Sequence, residues 1–473
     1  MLSFVSERRL QSGRLSRAEF LRLGGLGAVA GLLTGRRASA TESASVAIPR
    51  AKSVIIVFAS GGQSQFETWD PKPEAPVEIR GEFGSIATAE PGTFVCEHMP
   101  RLSTLADQYA LIRTMSHRDV DHGSAAYLTL TGQYHQQITS NPPPRPTDTP
   151  SVLSVYKRMQ PHAGTIAPAI ELNGPAIIAP QEIAPGQFGG LLGREFDPLI
   201  VGNVNEPTIA VPGLALQPDL PTLRIRERQQ LLSAVDDFVR AGADGPNAVS
   251  GQYRKAFELL DDPLTRRAFD LSAESDAVRN RYGRNRSGQA CLLARRLAEA
   301  GVPLISVIWN HHNRGQDTQP NVDDAYGWDT HNDIFDSMRN RLLPRFDQTM
   351  SALLEDLDTR GLLDDTLVIC MGEFGRAPLV ALERSFAGSS PGRKHWASTY
   401  SIMLAGAGVQ GGKVVGKTDR QGAYPASESY GPWDIAATVF AALGVDPAGH
   451  YVDPLNRPFA VTVGRPIQAV YSA

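Results

Sequence analysis

Five groups of polar residues could do chemistry in this 473-residue chain, and most of its ten histidines fall among them. They are Ser116-His-Arg-Asp-Val-Asp-His122-Gly-Ser124, Asn310-His-His-Asn313, Gly327-Trp-Asp-Thr-His331-Asn, Gly372-Glu373-Phe-Gly-Arg376 and Gly392-Arg-Lys-His395-Trp. Divalent metals require imidazole and carboxylate groups that converge from different parts of a chain. Asp329, His331, Glu373, His395 and the His117–His122 cluster could supply them. Each also has an ordinary reading. Asp329 could cap a helix, Glu373 could pair with Arg376, and a histidine beside a tryptophan, as in His395-Trp396, is commonly a hydrogen-bonded structural residue. Their coincidence at the ends of expected strands favours a site.

Those strands are continuous apolar runs. Ser53–Ser60, Val302–Trp309, Thr366–Met371 and Tyr400–Ala405 are apolar on both faces, which places them inside a sheet covered by helices on each side. Helical patterns lie between them. One spans Ser287–Ala300, with Leu292, Leu293 and Leu297 on one face and Gly301 closing it; others span Phe335–Arg360 and Trp433–Leu443. This alternation predicts an α/β fold with a doubly wound, mainly parallel central sheet flanked by helices, and sites at the carboxyl ends of the strands. Residues from about 133 to 252 break the rhythm with many prolines, Asn141-Pro-Pro-Pro-Arg-Pro among them, and read as an insertion at the sheet edge, a candidate cap.

The first forty residues read as an export signal. Seven arginines stand against Glu7 and Glu19, an apolar run covers Leu23–Leu33, and Ala38-Ser-Ala40 fits a small-residue cleavage site. Ser16-Arg-Ala-Glu-Phe-Leu-Arg22 resembles a twin-arginine motif in which Ala18 replaces the second arginine. The run is too short for a stable membrane span, so the expectation is a periplasmic or extracellular protein of residues 41–473. The net charge is −4, and taking away the leader's +5 leaves −9. No basic stripe offers a nucleic acid a surface. Three cysteines without CxxC spacing form neither a disulfide framework nor a metal motif.

Further stretches carry a resemblance. Val54-Ile-Ile-Val-Phe-Ala-Ser-Gly-Gly-Gln-Ser-Gln, Thr68-Trp-Asp-Pro-Lys-Pro, Ile79-Arg-Gly-Glu-Phe, Arg113-Thr-Met-Ser-His, Asp121-His-Gly, Gly327-Trp-Asp-Thr-His, Met371-Gly-Glu-Phe-Gly-Arg and Gly416-Lys-Thr-Asp occur in order. Together they resemble the exported domain-of-unknown-function family fifteen-hundred-and-one, over nearly the whole chain after the leader. The resemblance implies an alkaline-phosphatase-like fold, shared with sulfatases and phosphodiesterases. It also implies a metal site that this chain alters. Ser60-Gly61 stands where an Asp-Gly pair is usual, and Phe374 replaces a histidine beside the retained Glu373. Asp329 and His331 are similar to a metal-binding Asp–His pair, and His395 to a last metal histidine. His122, with Ser124 two places on, falls at the sulfatase nucleophile position, and no cysteine stands there, which excludes formylglycine chemistry.

Two functions follow as expectations. One is a hydrolase of phosphate or sulfate esters dependent on zinc, calcium or manganese. Asp329, His331, Glu373 and His395 would be its ligands, His122 or Ser124 the nucleophile or acid/base, and Arg376 or Arg118 an anion clamp. The other is a catalytically degenerate protein that binds an acidic polysaccharide or builds the cell envelope. Oligomeric state and substrate have no signature in the sequence.

Overall fold

The computed structural model describes residues 48–160, 166–178, 182–206, 263–310, 314–315 and 326–471. The expected leader, the histidines at 311 and 312 and most of the second half of the proline-rich stretch lie outside them. Eight strands form the central sheet: β1 (Ser53–Phe58), β2 (Tyr109–Met115), β3 (Ala169–Leu172), β4 (Leu199–Val201), β5 (Leu304–Ile308), β6 (Thr366–Met371), β7 (Tyr400–Ala405) and β8 (Val414–Val415). Their spatial order is β8-β2-β7-β6-β1-β5-β3-β4. In this sheet β7 runs against its neighbours β6 and β2, and every other pairing is parallel.

Helices α1 (His122–Thr131), α2 (Val152–Met159), α3 (Arg286–Glu299), α4 (Leu343–Thr359) and α5 (Pro432–Ala442) accompany the sheet. Alternation along β1 explains the two layers, since successive side chains point to opposite faces. Ile55 and Val57 pack with Leu292, Leu293 and Leu297 of α3 and with Phe346, Met350 and Leu353 of α4. Val54 and Ile56 pack with Val152 and Val155 of α2 and with Ile435, Val439 and Phe440 of α5. Both faces of the strand are therefore dry, and the fold is doubly wound. Cys96, Cys291 and Cys370 are buried, and none is in a disulfide among the described residues.

All four expected strands are present. β2 was hidden because Arg113 interrupts its apolar run, and β3 and β4 because each has at most four residues. Both of these last fall inside the stretch expected as an insertion, so part of that stretch completes the sheet edge. The long helix expected over 335–360 is continuous but irregular: Ile334–Ser337 passes through a π turn at Met338–Leu342 into α4. The turn precedes Pro344, which has no N–H for the regular ladder. Among the described residues no helix is long and apolar enough to cross a membrane.

Candidate metal centre

Parallel pairing sets Met371 of β6 and Ile308 of β5 on either side of Phe58 of β1. The segments after these residues therefore leave the sheet as neighbours. Gly61, following β1, donates its N–H to both carboxylate oxygens of Glu373, following β6 (2.8 and 3.1 Å). Gly62 adopts φ +72°, and a Cβ there would lie 2.6 Å from the Phe374 ring, so the turn requires glycine. His395 arrives on a short ribbon in which Arg376 pairs with it. The returning strand passes so close to His331 that a Cβ on Gly392 would lie 2.4 Å from the His331 carbonyl oxygen.

Three imidazoles and one carboxylate meet where these segments converge. Oδ1 of Asp329 lies 3.1 Å from Nε2 of His331 and 3.3 Å from Nε2 of both His122 and His395. Nε2 of His331 and Nε2 of His395 are 2.8 Å apart. Ligand atoms of His122, Asp329 and His395 all lie within 4.8 Å of one another, a spacing that one cation can bridge. Each outer nitrogen has an acceptor. Nδ1 of His122 bonds Glu373 (2.5 Å), Nδ1 of His331 bonds Glu383 (2.7 Å), and Nδ1 of His395 bonds the Val120 carbonyl (2.6 Å). Acceptors at all three Nδ1 positions place a proton there and turn the Nε2 atoms inward, toward Asp329.

Electrostatics bind the cluster. Burial opposes charge on His122, but Asp329 and Glu373 outweigh it and raise its pKa to about 9. Burial would likewise raise Asp329, yet His122 and Arg376 hold it well below the usual carboxylate range. Burial and the charge of His122 push His395 down to about 4. Phe386 stacks on His331 with centroids 3.8 Å apart, and Phe374 leans on His122 and His395.

The profile of the family described as "Protein of unknown function (DUF1501)" matches residues 51–471. The chain belongs to that family. No curated protein matches it. Among solved structures, it is similar to the protein crystallised as Ps i-CgsB (13% identity, TM-score 0.44, covering 89% of this chain and 76% of that one). It is also similar to the phosphonate monoester hydrolase SpPMH from Silicibacter pomeroyi (12%, 0.39, 89% and 76%). A third is the alkaline phosphatase from the Antarctic bacterium TAB5 (10%, 0.33, 83% and 98%).

Of the site residues expected from sequence, Asp329, His331, His395 and His122 come together. Glu373 is adjacent but turned outward from the three Nε2 atoms, holding Nδ1 of His122 and the Gly61 N–H. Arg376 is wholly buried. Its guanidinium donates to Asp329 (2.7 Å) and to the carbonyls of Gly62 (3.0 Å) and Arg393 (3.1 Å). Ser124 donates to Asp119 (2.8 Å) and accepts from the Ser140 N–H (3.1 Å). Arg118 is exposed and lies over the Tyr134 ring. His117 accepts the Asp119 N–H at Nδ1 and donates from Nε2 to the Glu373 carbonyl (2.7 Å), so its ring is spent on the backbone. Sequence reasoning missed Glu383 and Val120. Glu383 lies mid-loop between Arg376 and His395, and Val120 contributes only a carbonyl, which no side-chain pattern announces.

Proposed function

We propose that this protein is a metal-dependent hydrolase of phosphate or sulfate esters that works outside the cytoplasm. The observation that carries this reading is the convergence of three Nε2 atoms on Asp329 with every Nδ1 held by an acceptor. Nε2 of His122 is buried and faces Oδ1 of Asp329 at 3.3 Å. The inward nitrogens of His331 and His395 lie at hydrogen-bond distance from each other, 2.8 Å. The imidazoles of His122 and His395 and the Asp329 carboxylate, with His331 beside them, fit a divalent cation, and among zinc, calcium and manganese they disfavour calcium, which prefers an all-oxygen shell.

His122, Asp329, His331 and His395 would hold the ion, which would supply a Lewis acid toward an ester oxygen. The chain's own groups do the rest. Glu373, Glu383 and the Val120 carbonyl keep the Nδ1 protons in place and fix the ring planes. Arg376 braces Asp329 from behind and keeps it ionised. Phe374 and Phe386 cover ring faces and exclude water there. His122, expected with Ser124 as nucleophile or acid/base, thus moves to the ligand set, and Glu373 from ligand to its support. Ser124 anchors the start of α1 through Asp119. The ester class rests on the motif resemblance, and the extracytoplasmic setting on the leader.

A silent binding protein is the second reading. Ser60 in place of the usual aspartate and the Arg376 guanidinium on the Asp329 oxygen favour it. Elemental analysis of the purified protein, paired with assays on aryl phosphate and aryl sulfate esters, separates the two. The hydrolase reading expects about one equivalent of metal and hydrolysis that chelation abolishes. Metal without hydrolysis supports the binder. Protein that stays metal-free after incubation with zinc and manganese overturns the metal-dependent hydrolase and favours the binding protein.

A further inference from the structure

Two of the three imidazoles are held by carboxylates, and these carboxylates are built differently. Glu373 is fully buried and fixed by the Gly61 backbone. Glu383 is partly exposed and belongs to the loop between Arg376 and His395. That loop is fastened to the two residues that follow His331. Asn332 accepts the Glu383 N–H (2.8 Å) and donates to the carbonyls of Glu383 (2.9 Å), Phe386 (3.2 Å) and Ala387 (3.0 Å). Asp333 accepts the N–H groups of Ser389 (3.0 Å) and Ser390 (2.6 Å). The loop so fixed delivers the Glu383 carboxylate to Nδ1 of His331 and the Phe386 ring to its face.

We propose that Glu383 is a positioning residue of the metal centre, which sets the tautomer and plane of His331 so that Nε2 is presented to the cation. The inference rests on the metal reading given above. Glu383 touches no other imidazole; its remaining charged partner is Lys394, 3.3 Å away and exposed. An anionic acceptor on Nδ1 makes the opposite nitrogen a stronger donor, and losing such a partner typically weakens metal binding 10- to 100-fold. Asn332 acts one step further out, by holding the Glu383 backbone.

Cobalt(II) titration of the whole protein, followed by visible absorption, provides the test. The wild type, Glu383→Ala, Glu383→Gln and Lys394→Ala are compared, with thermal unfolding of each metal-free protein alongside. Glu383→Ala should bind cobalt about 10- to 100-fold more weakly with a melting temperature close to wild type. Glu383→Gln, whose amide oxygen still accepts from Nδ1, should fall between. Lys394→Ala should bind as well as wild type or slightly more tightly, because it removes a like charge near the site. In the metal-free wild type, ¹⁵N NMR should find the His331 proton on Nδ1, and in Glu383→Ala it should redistribute. Equal cobalt affinity in wild type and Glu383→Ala overturns the role of Glu383 and leaves the metal centre standing. A wild type that binds no cobalt overturns the metal reading, and this inference with it.

Discussion

Arg393 and His395 are two residues apart, yet the buried ionic clusters they belong to are opposite in kind. Arg393 is saturated. Its Nε and Nη2 bind the Glu67 carboxylate, and its remaining bonds go to the carbonyls of Ile79, Ala377 and Pro378, with Phe66 under the guanidinium. The cluster around His395 is convergent instead: the inward nitrogens of His331 and His395 lie 2.8 Å apart, and with that of His122 they share one carboxylate oxygen. A buried charge that is fully hydrogen-bonded needs no ligand. Convergent imidazoles with their outer nitrogens fixed can take one. Convergence of metal-ligand atoms, rather than burial or charge, separates the candidate site from the structural cluster.

The largest effect should come from breaking the saturated pair. Arg393→Ala leaves Glu67 charged and alone in the interior, and should cost about 3–5 kcal/mol in chemical denaturation. Replacing both partners with methionine should recover much of that loss. A loss below about 1 kcal/mol would mean that the pair is not the fixed strut described here.

Next in size is the response to metal. Zinc at about 100 times its dissociation constant should stabilise the wild type by roughly 2.7 kcal/mol, seen as a rise in melting temperature. His331→Ala should lose that rise. An equal rise in both proteins would place the metal elsewhere.

Glu171 sharpens the criterion. It lies on β3, its Oε1 has no hydrogen bond among the described residues, and burial pushes its carboxyl from the ordinary 4.5 up to about 8. It is unsatisfied but not convergent, so it should behave as a liability and not as a ligand. Because the folded value lies above the unfolded one, the folded state holds the proton more tightly. Stability should then fall as pH rises from 4.5 to about 8 and level off beyond. Glu171→Gln should match wild type at pH 4 and exceed it by on the order of 2 kcal/mol at pH 8.5. A pH-independent difference between the two would show that Glu171 has a charged partner.

Phe386 should give the smallest change. Its ring stacks on His331 but is partly open to solvent, and Phe386→Ala should cost about 1 kcal/mol in thermal unfolding. A loss above 3 kcal/mol would make the ring part of the core.

The sequence made the layers legible because β1, β5, β6 and β7 are buried on both faces, which leaves uninterrupted apolar runs. It could not reveal that β7 runs antiparallel, since a strand dry on both sides looks alike in either direction. It pointed to Asp329, His331, His395 and His122 because strand ends are where loops can converge. The roles of Glu373 and Glu383 were not legible. Both are loop glutamates, and only distance shows that each carboxylate reaches the far nitrogen of a histidine and not the shared centre. Arg376 resembled an anion clamp in sequence, whereas backbone carbonyls and Asp329 surround it in the fold.

The most direct test of the central claim is anomalous diffraction at the zinc edge from crystals grown with zinc. The account predicts one strong peak bounded by Nε2 of His122, His331 and His395 and the Asp329 carboxylate, at about 2.0–2.2 Å from each. Crystals with no peak there, and the three imidazoles still packed against Asp329, would contradict it.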